Sequence, residues 1–264
     1  MEFRTPVIIG KPDFRIEPLE DMLFVGSCFA DTIGKRFQQD HFHATVNPFG
    51  VMYNPASILH TVERCDCTPR IAVLTLGTNH IYRLRETGEI VDNCQKRPAS
   101  LFQEEELTVD QCVDYLAQAV GILRRRRPDV RVILTVSPIR YRKYGYHGSQ
   151  LSKATLLLAA DRLCNEFGQT YFPAYELMMD ELRDYRFYAE DMLHPSSQAV
   201  EYIFERFAET FFSEQTQRFL REWSPIKAAL GHRPFHPDSD EYRQFLADAQ
   251  TKEQALIARY QTRQ

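Results

Sequence analysis

Among its 264 residues the chain carries one tryptophan, eleven glycines and six cysteines, and no two cysteines have Cys-x-x-Cys spacing. Cys65-Asp66-Cys67 is one residue too close for the usual zinc turn. A chain of this length buries enough core to need no bridges, so the thiols are expected to be reduced packing residues. Charge of one sign is also lacking: 32 Lys+Arg stand against 36 Asp+Glu, a formal net charge of −4. That balance excludes a protein built to hold nucleic acid by electrostatics. Apolar runs such as Ala154 to Ala160 fall far short of the roughly 20 residues a membrane span needs. Met1 to Phe14 is charged and proline-broken, without the apolar stretch of a signal peptide, so a cytoplasmic location is expected. There is no internal repeat and no low-complexity segment.

What is present is an alternation of short apolar runs with longer helical patterns, the mark of an α/β layer fold. Strands are expected at Met22 to Val25, Ala44 to Val46, Ile71 to Leu76, Arg131 to Val136 and Thr170 to Phe172. Helices are expected at Asp31 to Gln39, Pro55 to Arg64, Thr108 to Arg126, Ser152 to Phe167 and Gln198 to Phe212. Thr108 caps the third of these, whose buried stripe is Val109, Cys112, Val113, Leu116, Val120 and Leu123. Ile71 to Leu76 is apolar on both faces, as parallel strands tend to be. Asp92 to Phe102 reads as irregular and Tyr141 to Tyr146 as an aromatic loop. Beyond residue 213 the pattern turns to polar helices, a tail that packs on the domain or serves self-association. Residues 1–212 thus form the domain and 213–264 a helical extension.

Ligands of an open parallel sheet collect at the carboxyl ends of its strands. The first strand is followed there by Gly26-Ser27-Cys28-Phe29-Ala30. A Ser between a strand and a helix N-terminus is placed as a nucleophile, with backbone N–H groups favouring an oxyanion. A Ser hydroxyl needs a base, and His with a carboxylate on its second ring nitrogen is the usual one. Asp191-Met192-Leu193-His194 supplies both, three residues apart. Gly50 and the Asn79 amide, each after another strand, are further oxyanion donors. Cys28 is the rival nucleophile, since a helix N-terminus lowers a thiol pKa. Successive side chains at such a turn diverge, and Cys28 is read as packing inward.

Gly26 to Ala30 is the five-residue signature of the GSCFA family, which the chain resembles. Asn47-Pro-Phe-Gly50 with Tyr53-Asn-Pro55, Thr75-Leu-Gly-Thr78, Val91-x-Asn-Cys94 and Thr135-Val-Ser-Pro-Ile139 add to the resemblance. That family looks like a branch of the SGNH (GDSL-like) hydrolases. The resemblance implies a flavodoxin-like three-layer α/β/α sandwich on a mainly parallel five-stranded sheet, followed by the helical extension. It also implies a serine esterase with catalytic Ser27, Asp191 and His194. Ser27, Gly50 and Asn79 form the oxyanion hole, and no cofactor or metal takes part. The substrate is a small-molecule or carbohydrate ester, an O-acetyl group on a sugar being one form. Transfer of the acyl group to a sugar hydroxyl and a binding module without turnover are the alternatives. The usual Gly-Asp-Ser is here Val25-Gly26-Ser27, so the Asp before the nucleophile is absent, and His80 stands where an Asp usually follows the Asn.

Around this set, His80, Asn93 and Arg140 are candidate substrate contacts, with Lys96 near Asn93 in the same connection. Arg140 is the candidate for an anionic group. His41 and His43, on one side of a strand, have the spacing of two metal ligands without a third. Arg124 to Arg127 closes a helix, where cations suit the dipole better than they suit nucleic acid. Homo-oligomerisation is assigned to the C-terminal helices.

Overall fold

The computed structural model describes residues 5–92, 94, 97–236 and 238–261. In chain order, β1 (Asp21–Gly26) leads through α1 (Cys28–Gln39) to β2 (His43–Val46), and α2 (Pro55–Arg64) leads to β3 (Ile71–Leu76). An antiparallel ribbon follows, made of β4 (His80–Leu84), β5 (Ile90–Val91) and β6 (Phe102–Glu106). Then come α3 (Val109–Arg126), β7 (Arg131–Val136), α4 (Gly145–Phe167), β8 (Thr170–Tyr171) and the single turn α5 (Ala174–Glu176). The chain ends in α6 (Ser197–Phe211), α7 (Glu214–Leu230) and α8 (Asp240–Gln261). No helix among the described residues is long and apolar enough to cross a membrane.

The main sheet is parallel throughout, in the order β2-β1-β3-β7-β8, with helices on both faces. From β1 the chain steps out to β2 and then crosses back to β3. The order reverses between β1 and β3, opening a crevice at their carboxyl ends. Register aligns those ends: Gly26 pairs with Thr75, and Leu76 with Val136. One face packs aliphatic, with Val25, Leu74 and Leu134 under α2, α3 and α4. The other is aromatic, with Phe24, Phe37, Phe207 and Phe211 between the sheet, α1 and α6.

Local chemistry explains the element ends. Asn54 caps α2 by accepting from Ser57 N–H, with Pro55 at the first helical position. Thr108 and Gln111 form a full capping box on α3. Arg126, from the basic run, donates to the Val62, Glu63 and Cys65 carbonyls, which closes the end of α2. Three expectations change. The small sheet β4–β6 was hidden because Glu104-Glu105-Glu106 reads as solvated charge, not as strand. Tyr141 to Tyr146 is a 3-10 turn (Arg142–Tyr144) running directly into α4, the junction made by Gly145 at φ 69°. Cys65 and Cys67 are joined in a disulfide, not reduced. Cys65 leaves α2 in an extended conformation, which turns residues two apart to the same side with their Cα atoms 5.4 Å apart. Cys28, Cys94, Cys112 and Cys164 remain free. His41 and His43 also diverge. His41 sits in a turn at φ 64°, its Nε2 3.1 Å from Glu253, while His43 in β2 meets Asp21.

The C-terminal helices form a third core, of Leu19, Phe219, Trp223, Leu256 and Tyr260, against the end of α1. Asp40, the buried C-cap of α1, accepts from Trp223 Nε1 at 3.1 Å and from Lys227 Nζ at 2.7 Å. The tail therefore packs on the domain, the first of the two readings above. Between the layers lies a second buried charge. Lys153 of α4 is 2% exposed, and its Nζ donates to the Gly77 and Ser137 carbonyls at 2.8 Å each. It clamps together the residues that follow β3 and β7. Burial pushes its amine down to about 7.

Two outcomes follow from these charges. Asp40→Ala leaves the buried Trp223 N–H unsatisfied, a loss of about 1–3 kcal/mol. Urea unfolding followed through this sole tryptophan will show the loss, with a red-shifted emission if the tail loosens. For Lys153, the unfolded side chain keeps its proton to roughly pH 10, whereas the folded one releases it near 7. The unfolded state thus binds more protons between these values, so stability rises with pH across that window. The wild type will gain stability between pH 7 and pH 9 relative to Lys153→Met, measured by the same urea titration. An identical pH slope in both proteins would refute this.

Candidate functional site

The crevice is set by how β1 ends. Gly26 has φ 146°, and a Cβ built on it would lie 2.1 Å from the Thr75 carbonyl oxygen, so no side chain fits. Ser27 follows as the N-cap of α1, its Oγ accepting from Phe29 N–H at 3.3 Å. The same Oγ donates to Ser137 Oγ at 2.9 Å, and the residue is completely buried. Cys28 opens the helix, is partly exposed, and its Sγ lies 3.6 Å from Tyr53 Oη. Ser27 is thus buried where it was expected to face the cleft, and Cys28, expected to pack inward, packs partly against the aromatic core and also lines the cleft. Ser27, with cap dihedrals of φ −65° and ψ 178°, folds its side chain back beneath its own helix. Cys28, one step later, faces the cleft.

Across that cleft the Asp191–His194 loop meets the end of β7. Asp191 Oδ1 accepts from the backbone N–H groups of Leu193 and His194, and Oδ2 lies 2.5 Å from His194 Nδ1. These hydrogen bonds hold the Asp191 carboxyl well below the usual carboxylate range. With Nδ1 engaged, Nε2 is the ring nitrogen left for proton transfer. Arg140 fixes the loop: its backbone N–H donates to Leu193 O at 3.0 Å and its guanidinium to Met192 O at 3.1 Å. Its ring neighbours are Tyr146 and Tyr188. Arg140, expected to contact substrate, lines the cavity and also supports the His194 loop.

Cys28, Tyr53, Arg140, Tyr141, Leu193 and His194 line a cavity of about 410 Å³. It shares Tyr53, Tyr141 and Lys143 with a larger one of about 840 Å³, walled by Tyr82, Phe102, Tyr144 and His80. Among the described residues, the buried Tyr141 Oη has no hydrogen-bond partner. Burial, with Cys28 as a neighbour, raises the Tyr53 phenol to about 12, and burial holds the Tyr141 phenol well above its ordinary value. Both are neutral donors at physiological pH. Gly77 is needed beneath them, since a Cβ there would come within 2.6 Å of Tyr141 Oη. His80 stacks on Tyr144 at 3.6 Å with the rings nearly parallel, and burial lowers its pKa. It lines the larger cavity, away from the Asp191–His194 pair. Asn93 and Lys96 lie outside the described residues.

The expected oxyanion set is engaged elsewhere in this structure. Ser27 N–H donates to Thr75 O, Gly50 N–H to Asn47 O at 2.8 Å, and the Asn79 amide to Leu107 O at 2.8 Å. The physical reason is local: each closes a turn or strand end whose carbonyl would otherwise be unpaired. Tyr53, Tyr141 and Lys153 are what the sequence pattern underplayed. Tyr53 stood only in a motif, and a buried Lys carries no pattern of its own. Another hollow, of about 630 Å³, lies at the opposite ends of the strands, where Arg131 pairs with Asp13 and Arg127 with Asp129. Among the described residues no group of three or more His, Cys, Asp and Glu is placed to hold a metal.

No curated protein matches the chain. Among solved structures, one named as a GDSL-like lipase from Parabacteroides merdae superposes with TM-score 0.51 at 11% identity, covering 75% of this chain and 98% of its own. One named as an acylhydrolase from Bacteroides fragilis scores 0.49 at 14% identity, over 76% and 88%. One named as a GDSL-like lipase from Bacteroides thetaiotaomicron scores 0.47 at 14%, over 76% and 90%. The first supports a GDSL-like fold, and the lower scores carry no argument. The GSCFA family model matches residues 21–68 and 67–207, and that of the GSCFA domain protein, C-terminal domain, matches 223–263. With its signature at the β1–α1 junction and its sheet under that model, the chain belongs to the GSCFA family.

Proposed function

We propose that the protein cleaves a carboxylic ester, passing the acyl group through a covalent enzyme intermediate to water. The observation that carries this is the Asp191–His194 pair, which shares a cleft with the N-terminus of α1. Asp191 occupies Nδ1 and stabilises the imidazolium, and Nε2 takes the proton of a nucleophile. The β1–α1 junction supplies that nucleophile, and the motif points to Ser27 within it. The neutral phenol of Tyr53 is the oxyanion donor proposed, such a donor contributing roughly 3 kcal/mol to lowering the barrier. Gly50 and Asn79 would first have to give up their bonds to Asn47 and Leu107.

The substrate class proposed is an O-acylated carbohydrate. Tyr82, Phe102 and the His80–Tyr144 stack offer flat faces, and Arg85, Arg97 and Glu104 stand among them as hydrogen-bonding groups. Rings beside polar partners suit sugar faces and hydroxyls. Transfer to a sugar hydroxyl is the second reading, favoured by the size of the cavity joined to the reactive one. In both, residues 1–212 carry the chemistry and 213–264 brace α1.

Hydrolysis of 4-nitrophenyl acetate will fall about 10²–10⁴-fold in His194→Ala. Asp191→Asn will fall by a similar factor, with the ring released from its tautomer. Full turnover in both variants would end this reading. Acylated sugar detected by mass spectrometry when an acceptor is added would assign transfer over hydrolysis.

A further inference from the structure

Two nucleophilic side chains follow Gly26, and the structure treats them differently. Ser27 is completely buried, and its Oγ is used twice: it accepts the Phe29 N–H that caps α1 and donates to Ser137 Oγ. To attack an ester in the cleft it would have to break both bonds and leave the helix uncapped. Cys28 caps nothing: it packs partly against the aromatic core, and its one side-chain hydrogen bond among the described residues is with Tyr53 Oη, 3.6 Å from Sγ. It lines the same cavity as Leu193 and His194. Tyr141 lines the same wall, its Oη turned down against Gly77 and away from the cavity. Cys28 also holds the first helical position, where the N–H groups have no acceptor within the helix and favour negative charge.

We propose that Cys28, not Ser27, is the nucleophile of this site, working with His194 and Asp191 and forming a thioester acyl-enzyme, with Ser27 as the structural cap behind it. This rests on the acyl-transfer reading above. In the first half-reaction His194 Nε2 takes the thiol proton and Sγ forms a bond to the acyl carbon. The carbonyl electron pair moves to oxygen, on the Tyr53 side of the cavity. Collapse breaks the ester C–O bond, and the leaving alkoxide takes the proton back from the imidazolium. In the second, His194 deprotonates water and the hydroxide adds to the thioester. The C–S bond breaks, the thiol regains its proton, and the acid is released. No oxidant or reductant enters, and the balance is ester and water to acid and alcohol.

The test uses the full chain under reducing conditions as wild type, Cys28→Ala, Cys28→Ser, Ser27→Ala and His194→Ala, with folding checked by tryptophan emission. After acid quench of a 4-nitrophenyl acetate reaction, peptide mass spectrometry is expected to find the acetyl group on Cys28, labile to neutral hydroxylamine as a thioester is. Turnover falls at least about a thousandfold in Cys28→Ala and about tenfold or less in Ser27→Ala, whose cap alone is lost. Acetyl on Ser27, or undiminished turnover in folded Cys28→Ala, overturns the proposal. A second readout is independent of ester turnover. Alkylation of Cys28 by iodoacetamide at pH 7 should outpace that of Cys94, and slow at least about tenfold in His194→Ala. If wild type cleaves no ester but this His194-dependent reactivity is present, the ester reading fails and the nucleophile assignment stands. If Cys28 alkylates no faster than Cys94 and ignores His194, the assignment fails.

Discussion

The contact on which the site depends is the approach of β1 to β3 at Gly26, where only a hydrogen fits against the Thr75 carbonyl. Because the backbones meet there, Ser27 N–H reaches Thr75 O and the chain turns sharply into α1. That turn commits the next two side chains to opposite surroundings. One goes beneath the helix to Ser137, the other into the cleft beside Tyr53. A larger residue at position 26 would separate the strands at their carboxyl ends, where the register also places Gly77 and Ser137. The glycine is needed here for space and for its φ of 146° together, a combination no other residue meets.

The same ends are held from behind by a buried amine. Lys153 donates to two backbone carbonyls, Gly77 O and Ser137 O, and among the described residues no carboxylate pairs with it. Such a buried amine is cheaper to keep neutral than ionised, which is why burial takes it down to about 7. Its two acceptors belong to the residues that flank Tyr141 and bond Ser27, so the clamp and the cleft share a wall. Protonation there tightens charge-assisted hydrogen bonds while adding desolvation cost.

Much of this was legible because it rests on periodicity and spacing. Ile71 to Leu76 and Arg131 to Val136 are apolar on both faces, and their strands begin and end at those residues. Asp191 and His194, three apart, could be paired because a turn of that length has few other ways to place an acid and an imidazole. What was not legible depends on direction, not on identity. The pattern Gly-Asp-Ser can be laid on Val25-Gly26-Ser27 or, one residue later, on Gly26-Ser27-Cys28, and composition does not choose. The choice is made by the cap geometry of Ser27 and by the bulk of Thr75, neither visible in a string of letters. Asn79 shows the same limit: its amide is spent on Leu107 O because β4 must close onto the entry to α3. The strand of three glutamates in β6 was hidden by its charge, although that charge faces Lys143 and Arg83 across the ribbon.

The ribbon itself bears on whether water or another hydroxyl resolves an acyl-enzyme. β4 and β6 wall the larger cavity with Tyr82 and Glu104, and Lys143 reaches across from the turn before α4 to both side chains. Lys143 lines both cavities, so this ion pair stands where their linings meet. A single exposed pair contributes about 1 kcal/mol or less. Under the function proposed above, an acceptor offering its own hydroxyls to Glu104 and Lys143 would replace that contact at little cost, and bulk water would gain nothing by doing so. Hydrolysis and transfer would then differ by what occupies the ribbon side of the cleft, with the groups under His194 the same in both.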